Sequence, residues 1–261
     1  MSADEVTLTR DGAVRVLTIN RPQRRNAMTG ETAEALRKGL EQAAEDAGTG
    51  AVVITGAGGH FSAGGDGTAI LAAAQHSEAA ADRLMRGFHR LIDTLWTADL
   101  PVIAAVSGVA YGGGFNLALA CDLVYCSADA RFCQVFLRRG VIPDVGGAYL
   151  LPRLVGMQRA KELMLLTEEL DAAAAHRLGL VNAVLPDPAE ALAHAAAVAA
   201  RLAAGPRFAI AQTKKLLNAT TSGSLRSALD LEAAIQTTML RSESVQRSFA
   251  DFLGSKRTHG S

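Results

Sequence analysis

Three features of the sequence combine residue types that could carry out chemistry: one isolated acid and two glycine-rich stretches. The acid is Asp144, in RGVIPDVGGAYLLPRLVG (residues 139–156), between an apolar run and the expected start of a helix. Its local sequence supports two interpretations. Asp144 is either a helix N-cap that accepts backbone N–H bonds, or a base that accepts a proton from a bound molecule.

The glycine-rich stretches are GAGGHFSAGGDG (residues 56–67) and SGVAYGGGFNLALACDL (residues 107–123), and each directly follows an apolar, strand-like segment. Glycines at strand ends let backbone N–H groups approach a ligand closely, and a following helix adds its positive N-terminal end. That arrangement favours an oxygen anion. Neither stretch has the spacing of a P-loop or of a dinucleotide-binding loop. The alternative for each is a tight turn that packs against a sheet.

The elements that must position these residues follow from periodicity. EVTLTR and AVRVLTIN flank Asp11-Gly12 and predict a β-hairpin, and residues 30–47 predict a helix capped by Thr29. Strands are predicted at AVVIT, PVIAAVSG and CDLVYCS, and helices over residues 78–96, from near Gly114, and over most of the chain after residue 145. The order predicts an α/β core followed by a helical C-terminal portion.

Composition excludes several function classes. The 261 residues carry 26 basic and 26 acidic side chains, so no broad field favours nucleic acid or an anionic membrane. The chain starts MSADEVTLTR and has no long apolar run, which predicts neither a leader nor a membrane span, and the cytoplasm is the expected location. The three cysteines and six histidines show no metal-ligand spacing, so no metal is expected.

Taken together, FSAGGD and GVAYGGGFNLALACDL, preceded by LTINRPQRRNAM and followed by GVIPDVGGAYLLPRLVG, resemble the enoyl-CoA hydratase/isomerase or crotonase family. The resemblance implies a spiral of ββα units, here residues 1–200. It also implies a helical C-terminal region, residues 201–261, that assembles trimers, often paired into hexamers. The substrate it implies is a coenzyme A thioester, with no further cofactor.

The resemblance places two oxyanion-hole amides at Gly65 and Gly113. Removal of a proton next to a thioester carbonyl makes an enolate, and two preorganised N–H donors stabilise its oxygen as the charge develops. The same two glycines would therefore contact the substrate.

The coenzyme A site is also carried over from the resemblance. It implies that Arg24 and Arg25 lie near the nucleotide phosphates, and that the backbone around Ala63 and Asp66 lines the adenine and pantetheine path. Lys256 or Arg257, near the C-terminus, would reach the phosphates of a neighbouring subunit. Solvated surface arginines remain the alternative for Arg24 and Arg25.

The sequence departs from the hydratases of this family at two positions. Asn116 and Phe136 stand where those enzymes carry the glutamates that hold a water. Neither replacement is a base, so two-glutamate hydration is not expected. Asp144 matches the position of a proton-handling aspartate in isomerases of the family, and its surroundings most resemble those of ring 1,2-epoxyphenylacetyl-CoA isomerases.

The chain is therefore predicted to be an acyl-CoA isomerase with Asp144 as the base. We expect Phe136, Val141, Ile142 and Val145 to desolvate Asp144 and raise its pKa, while the following helix N-terminus opposes the rise; the balance stays open. Two alternatives remain. One is a catalytically silent acyl-CoA binding protein. The other is an aryl-CoA dehalogenase with Asp144 as nucleophile, although the tryptophan expected near Phe136 is absent.

Overall fold

The computed structural model describes residues 5–221 and 223–258, with the backbone alone for residues 254–258. The strands in this part of the chain are Val6–Asp11 (β1), Val14–Ile19 (β2), Ala51–Gly56 (β3), Val102–Val106 (β4), Val109–Tyr111 (β5), Leu123–Ser127 (β6), Arg131–Cys133 (β7), Leu170–Asp171 (β8) and Ala183–Leu185 (β9). The helices are Gly30–Glu45 (α1), Gly67–His76 (α2), Glu78–Thr97 (α3), Gly113–Ala120 (α4), Gly147–Leu166 (α5), Ala172–Arg177 (α6), Pro188–Ala203 (α7), Arg207–Thr220 (α8), Leu225–Leu240 (α9) and Glu243–Thr258 (α10). Short 3-10 turns cover Pro22–Arg24 and Val135–Arg139.

The larger sheet has six strands in the order β1-β2-β3-β4-β6-β9. β1 and β2 form the predicted antiparallel hairpin, and the remaining pairs are parallel. Every residue of β4 is buried, as expected of a parallel strand covered on both faces. The helix α7 packs against β3, β4 and β6, and α1 packs against α3. The predicted α/β class is confirmed.

A smaller sheet, in the order β5-β7-β8, carries the second glycine stretch. The first glycine stretch joins it through backbone bonds, because Ser62 N donates to Val109 O (3.0 Å) and Tyr111 N donates to Ser62 O (2.9 Å). The segment that follows β3 of the larger sheet therefore meets β5 of the smaller sheet. This meeting point positions both glycine stretches.

Asn26 ties the segment NRPQRRNAM to the first glycine stretch. It is fully buried and has φ of 57°, in the left-handed region that asparagine tolerates. Its Oδ1 accepts from Arg21 N (2.9 Å), and its Nδ2 donates to Ala57 O (2.8 Å) and His60 O (2.5 Å). Three residues later, Thr29 caps α1 in a reciprocal bond pair with Thr32, as the sequence predicts for Thr29.

The chain divides into two compact units, one ending at Arg207 and the other beginning at Phe208. The predicted boundary at residue 200 falls inside α7. In the second unit, α9 begins with a capping box between Ser224 and Ser227. Among the described residues, no helix combines the length and hydropathy that a membrane span requires.

Candidate active site

A cavity of about 650 Å³ lies where the two glycine stretches meet Asp144. Its wall is mostly apolar and includes Met28, Ile70, Leu71, Met85, Phe88, Phe136 and Val145. The polar side chains that line it are Tyr111, Arg138, Arg139 and Asp144. An apolar cavity with few convergent polar groups is the usual form of a small-molecule site.

Gly65 and Gly113, whose amides are the expected oxyanion donors, both line this cavity. Gly113 is the first residue of α4, so its N–H has no partner within the helix and points along the positive end of the helix. A Cβ added at Gly113 would lie 3.9 Å from Gly65 N, so the amide of Gly65 lies beside residue 113. Among the described groups, neither N–H donates to a protein acceptor. Two free amides beside each other could serve as the donors of an oxyanion hole, and this role of Gly65 and Gly113 stays a prediction.

Asp144 lines the same cavity and does not cap α5. The helix begins at Gly147 and its N-cap is Gly146, with no side-chain capping bond. Asp144 is half-buried, and burial raises the pKa of its carboxyl above the usual range, while the positive charge of His89 lowers it in part. Burial therefore outweighs the opposing effects, which the sequence left open. The N-cap interpretation is wrong.

Three of the four residues expected to desolvate Asp144, namely Phe136, Val141 and Val145, line its cavity, and Ile142 does not. Phe136 and Val145 are buried, but Val141 is 50% exposed and Ile142 is 78% exposed. Val141 and Ile142 belong to residues 141–144, which connect the 3-10 turn to α5 without regular secondary structure, and both side chains are exposed. The desolvation of Asp144 comes from the inner wall of the cavity.

The two positions that lack glutamates differ in placement. Phe136 lines the cavity, and its ring lies against Gly112, where an added Cβ would be 3.5 Å from Phe136 Cζ. Asn116 is fully buried on α4, and its Nδ2 donates to the backbone carbonyl of Asp144 (2.8 Å). Among the described residues that line the cavity, Asp144 is the one carboxylic acid.

The residues expected to hold coenzyme A are spread along the first glycine stretch and the 3-10 turn. Arg24 and Arg25 are exposed, and Arg25 O accepts from Ala63 N (2.9 Å), so the arginine turn supports the cavity-lining backbone at Ala63. The side chains of Lys256 and Arg257 lie outside the described residues.

Asp66 is used within the protein. Its Oδ1 caps α2 by accepting from Thr68 N (3.0 Å) and Ala69 N (3.2 Å), and its Oδ2 pairs with Arg21 Nη1 (3.0 Å). Burial raises the pKa of Asp66, but these donors and the Arg21 charge outweigh it, so the pKa lies below the usual range. Asp66 stays ionised and fixes the helix that follows Gly65.

A family model and several relatives match almost the whole chain. The model described as enoyl-CoA hydratase/isomerase matches residues 9–259. The chain is 37% identical over 244 residues to a probable enoyl-CoA hydratase of Rhodobacter capsulatus, covering 94% of this chain and 93% of that protein. It is 36% identical over 245 residues to 1,2-epoxyphenylacetyl-CoA isomerase of Escherichia coli, covering 93% of each. A crystal structure of an enoyl-CoA hydratase from a Polaromonas species has a TM-score of 0.91 at 35% identity, over 96% of this chain and 97% of that chain.

The chain belongs to the enoyl-CoA hydratase/isomerase family. The resemblance seen in the sequence is confirmed, and so is the crotonase fold with its α/β layers. Membership also makes the protein an enzyme of this family. Relatives carry both hydratase and isomerase names, so the reaction has to be argued from the site.

Sequence reasoning missed two polar neighbours in this site. His89 acts on Asp144 from α3, the helix whose Met85 and Phe88 line the cavity. Residues 85, 88 and 92 have helical spacing, and His89 lies among them on the same helix. This spacing points to a contact between His89 and Asp144 only once α3 is known to pack beside the Asp144 turn. Ile92 provides that contact, since its Cγ2 would lie 3.4 Å from a Cβ added at Gly146.

Tyr111 is the second missed neighbour. Burial and the hydrogen bond that its hydroxyl donates to Glu169 raise the pKa of Tyr111 to about 12. The hydroxyl therefore keeps its proton at neutral pH. No sequence pattern links residues 111 and 169, because the contact joins β5 to the turn before β8.

The amide of Gly113 can be removed by Gly113→Pro. Proline suits the first position of a helix, so the variant deletes the N–H at small cost to α4. We expect turnover to fall by at least about 10², as for loss of one oxyanion donor elsewhere. Gly113→Ala is the control, because it keeps the N–H while adding a methyl group 3.2 Å from Val145 Cγ2. Circular dichroism and size-exclusion chromatography establish folding. Equal turnover of folded Gly113→Pro and wild type would refute the oxyanion role.

His89→Gln tests the electrostatics of Asp144. The carboxylate is the active form of a base, so the rate rises with pH through the pKa of Asp144. Loss of the His89 charge raises that pKa, while Arg138, Arg139 and Tyr111 around the same cavity are unchanged. We expect the acidic limb of kcat/KM to move to higher pH by less than about one unit, because His89 is exposed and solvent screens it.

The matched control for His89→Gln is His176→Gln, an exposed histidine on α6. Its pH profile should superimpose on that of wild type. A shift to lower pH in His89→Gln, or equal shifts in both variants, would contradict the assigned effect of His89 on Asp144.

Proposed function

We propose that this protein is an acyl-CoA isomerase that moves a proton by way of an oxyanion-stabilised thioester enolate. The observation that carries the proposal is the placement of Asp144, half-buried and not used as a cap, in the same cavity as the amides of Gly65 and Gly113. A carboxyl whose pKa is raised by burial is a stronger base than a solvated one, and such groups concentrate at active sites.

The steps follow from these positions. Asp144 accepts a proton from the α or γ carbon of the acyl group, and the electron pair of that C–H bond moves onto the thioester oxygen. The Gly65 and Gly113 amides donate to this oxygen as its charge grows. Return of a proton to a different carbon converts the enolate to the isomer, and the double bond has then moved with no change in mass.

Hydration has less support in this cavity. A water that adds across a double bond needs a base to deprotonate it and an acid to protonate the carbon. Phe136 offers neither, and Asn116 is turned to a backbone carbonyl. Isomerisation does occur among the relatives by name, since the Escherichia coli protein at 36% identity is named 1,2-epoxyphenylacetyl-CoA isomerase, but hydratase names are more common.

The coenzyme A part of the substrate belongs to the same proposal. The exposed guanidinium groups of Arg24 and Arg25 support contact with the phosphates, and the backbone at Ala63 and Asp66 would lie along the pantetheine. Lys256 would serve a neighbouring subunit. A trimer or a pair of trimers, in the cytoplasm, is part of the proposal. Large apolar side chains exposed on α9 and α10 support this assembly, among them Leu225, Leu229, Leu240 and Phe249.

Asp144→Asn tests the proposal, because asparagine keeps the shape of aspartate but does not accept a proton at neutral pH. Wild type and variant are incubated with 3-enoyl-, 2-enoyl- and epoxyphenylacetyl-CoA thioesters, and products are separated by mass and retention. We expect wild type to isomerise at least one of these without added mass, and the variant to lose roughly 10² to 10⁴ in rate. Coenzyme A thioesters should still raise the Tm of the variant, and free fatty acids much less.

The stability of the variant has a predicted sign. Folding raises the pKa of Asp144, so the ionised carboxylate destabilises the folded state above about pH 4, its ordinary titration range. Asp144→Asn should therefore equal or exceed wild type in Tm at pH 7, and the gain should vanish at lower pH.

Wild-type isomerisation by the variant would refute Asp144 as the base. Thioester binding without turnover by wild type would favour a silent binding protein, and halide release from a halogenated aryl-CoA would favour the nucleophilic alternative.

A further inference from the structure

We propose that Asn116, held by Gln134, is a positioning residue that fixes the turn carrying Asp144. This inference rests on the proposed function of Asp144 as the base and goes beyond it. Compared with the hydratase pattern, position 116 has lost a glutamate, and the inference gives a role to the asparagine that stands there.

The contacts form a directed chain of buried amides. Gln134 Nε2 donates to Asn116 Oδ1 (2.7 Å), and Asn116 Nδ2 donates to the backbone oxygen of Asp144 (2.8 Å). Gln134 and Asn116 are 1% and 0% exposed. A carbonyl only accepts, so the NH₂ group of Asn116 must face Asp144 and its oxygen must face Gln134. The chain therefore has one orientation.

Gln134 donates to Asn116 through its NH₂ group, while its side-chain oxygen makes no hydrogen bond. Its Oε1 is buried and has no hydrogen-bond partner among the described residues. An unpaired buried acceptor is unfavourable, and it persists here while the NH₂ group of the same amide is used on Asn116. The arrangement indicates that Gln134 maintains the orientation of Asn116.

The turn that Asn116 holds is strained. Val145 has φ of 49° although it is β-branched and buried, and Gly146 follows with φ of 76°. A β-branched residue in the left-handed region is an outlier that persists only where its surroundings enforce it. The Asp144 oxygen supplies that enforcement, because it accepts from both Asn116 Nδ2 and Gly147 N (2.9 Å).

The clamp, by which we mean Asn116 and its hydrogen bond to the Asp144 carbonyl, is closely packed. A Cβ added at Gly147 would lie 2.2 Å from Asn116 Nδ2, so the amide sits directly against the first residue of α5. Val145 Cγ2 in turn would lie 3.2 Å from a Cβ added at Gly113. Asn116 thereby couples the oxyanion helix α4 to the base. A glutamate at this position has no hydrogen to donate to the Asp144 carbonyl at neutral pH.

Asn116→Ala removes the clamp and tests the proposal. We expect kcat for isomerisation to fall by roughly 10- to 100-fold, because the carboxylate is misplaced, while KM stays within about twofold. In ¹³C spectra of carboxyl-labelled aspartate, with Asp144 assigned from Asp144→Asn, the titration midpoint of Asp144 should move down toward the ordinary range as the loosened turn admits water. Adding Val145→Gly should restore part of the lost kcat, because glycine adopts a positive φ without strain.

Thr55→Val is the matched control. Thr55 is buried on β3 and its hydroxyl donates to Ala105 O (3.0 Å), so the variant loses a buried hydrogen bond away from the cavity. It should lose stability while leaving kcat and the Asp144 midpoint unchanged. If Asn116→Ala does not fold, Gln134→Leu, which frees Asn116 to rotate, is measured in its place and should show a weaker form of the same changes.

The outcomes separate this inference from the proposed function. An inactive wild type, or an active Asp144→Asn, would refute the isomerase proposal, and the ¹³C titration would still decide the role of Asn116. A lowered Asp144 midpoint in Asn116→Ala supports the clamp. Wild-type values of both kcat and midpoint, as in Thr55→Val, would overturn it.

Discussion

The backbone of residues 62–65 lies directly against the backbone of residues 110–114, and the site depends on this contact. A Cβ at Gly64 would lie 2.7 Å from Tyr111 O, and one at Gly114 would lie 2.4 Å from Ser62 O. Glycine is needed at both positions because atoms at these distances overlap. At Gly64 the φ of 93° adds a second reason. The approach brings together two amides whose parent strands, β3 and β5, belong to different sheets.

Asp144 depends on a second constraint, a left-handed turn between a 3-10 turn and α5. The turn delays the start of α5 to Gly147, which leaves the Asp144 side chain free of capping bonds and directs it to the cavity. Burial then raises the pKa of its carboxyl. Asn116 links the two constraints, because it lies on the helix that begins at Gly113 and bonds to the carbonyl of Asp144.

The elements predicted correctly from the sequence are those with local signals. The β1–β2 hairpin has a two-residue turn and alternating strands, α1 has its Thr29 cap, and the glycine stretches follow apolar strands. Asp144 was ambiguous because its role depends on the φ values of Val145 and Gly146, and a valine gives no local sign of a left-handed backbone. The contribution of Asn116 was invisible for another reason: it acts on a residue 28 positions away, through a carbonyl. The effect of His89 likewise required the packing of α3.

Hydrogen exchange into a substrate tests the central claim most directly, that the cavity removes a carbon-bound proton and holds the resulting enolate. A saturated acyl-CoA has no double bond to move or hydrate, so its incubation with the wild-type enzyme in deuterated water isolates this one step. Mass spectrometry should show enzyme-dependent uptake of deuterium at the α carbon with no other change. Absence of exchange, together with addition of water to a 2-enoyl-CoA by the same preparation, would contradict the account.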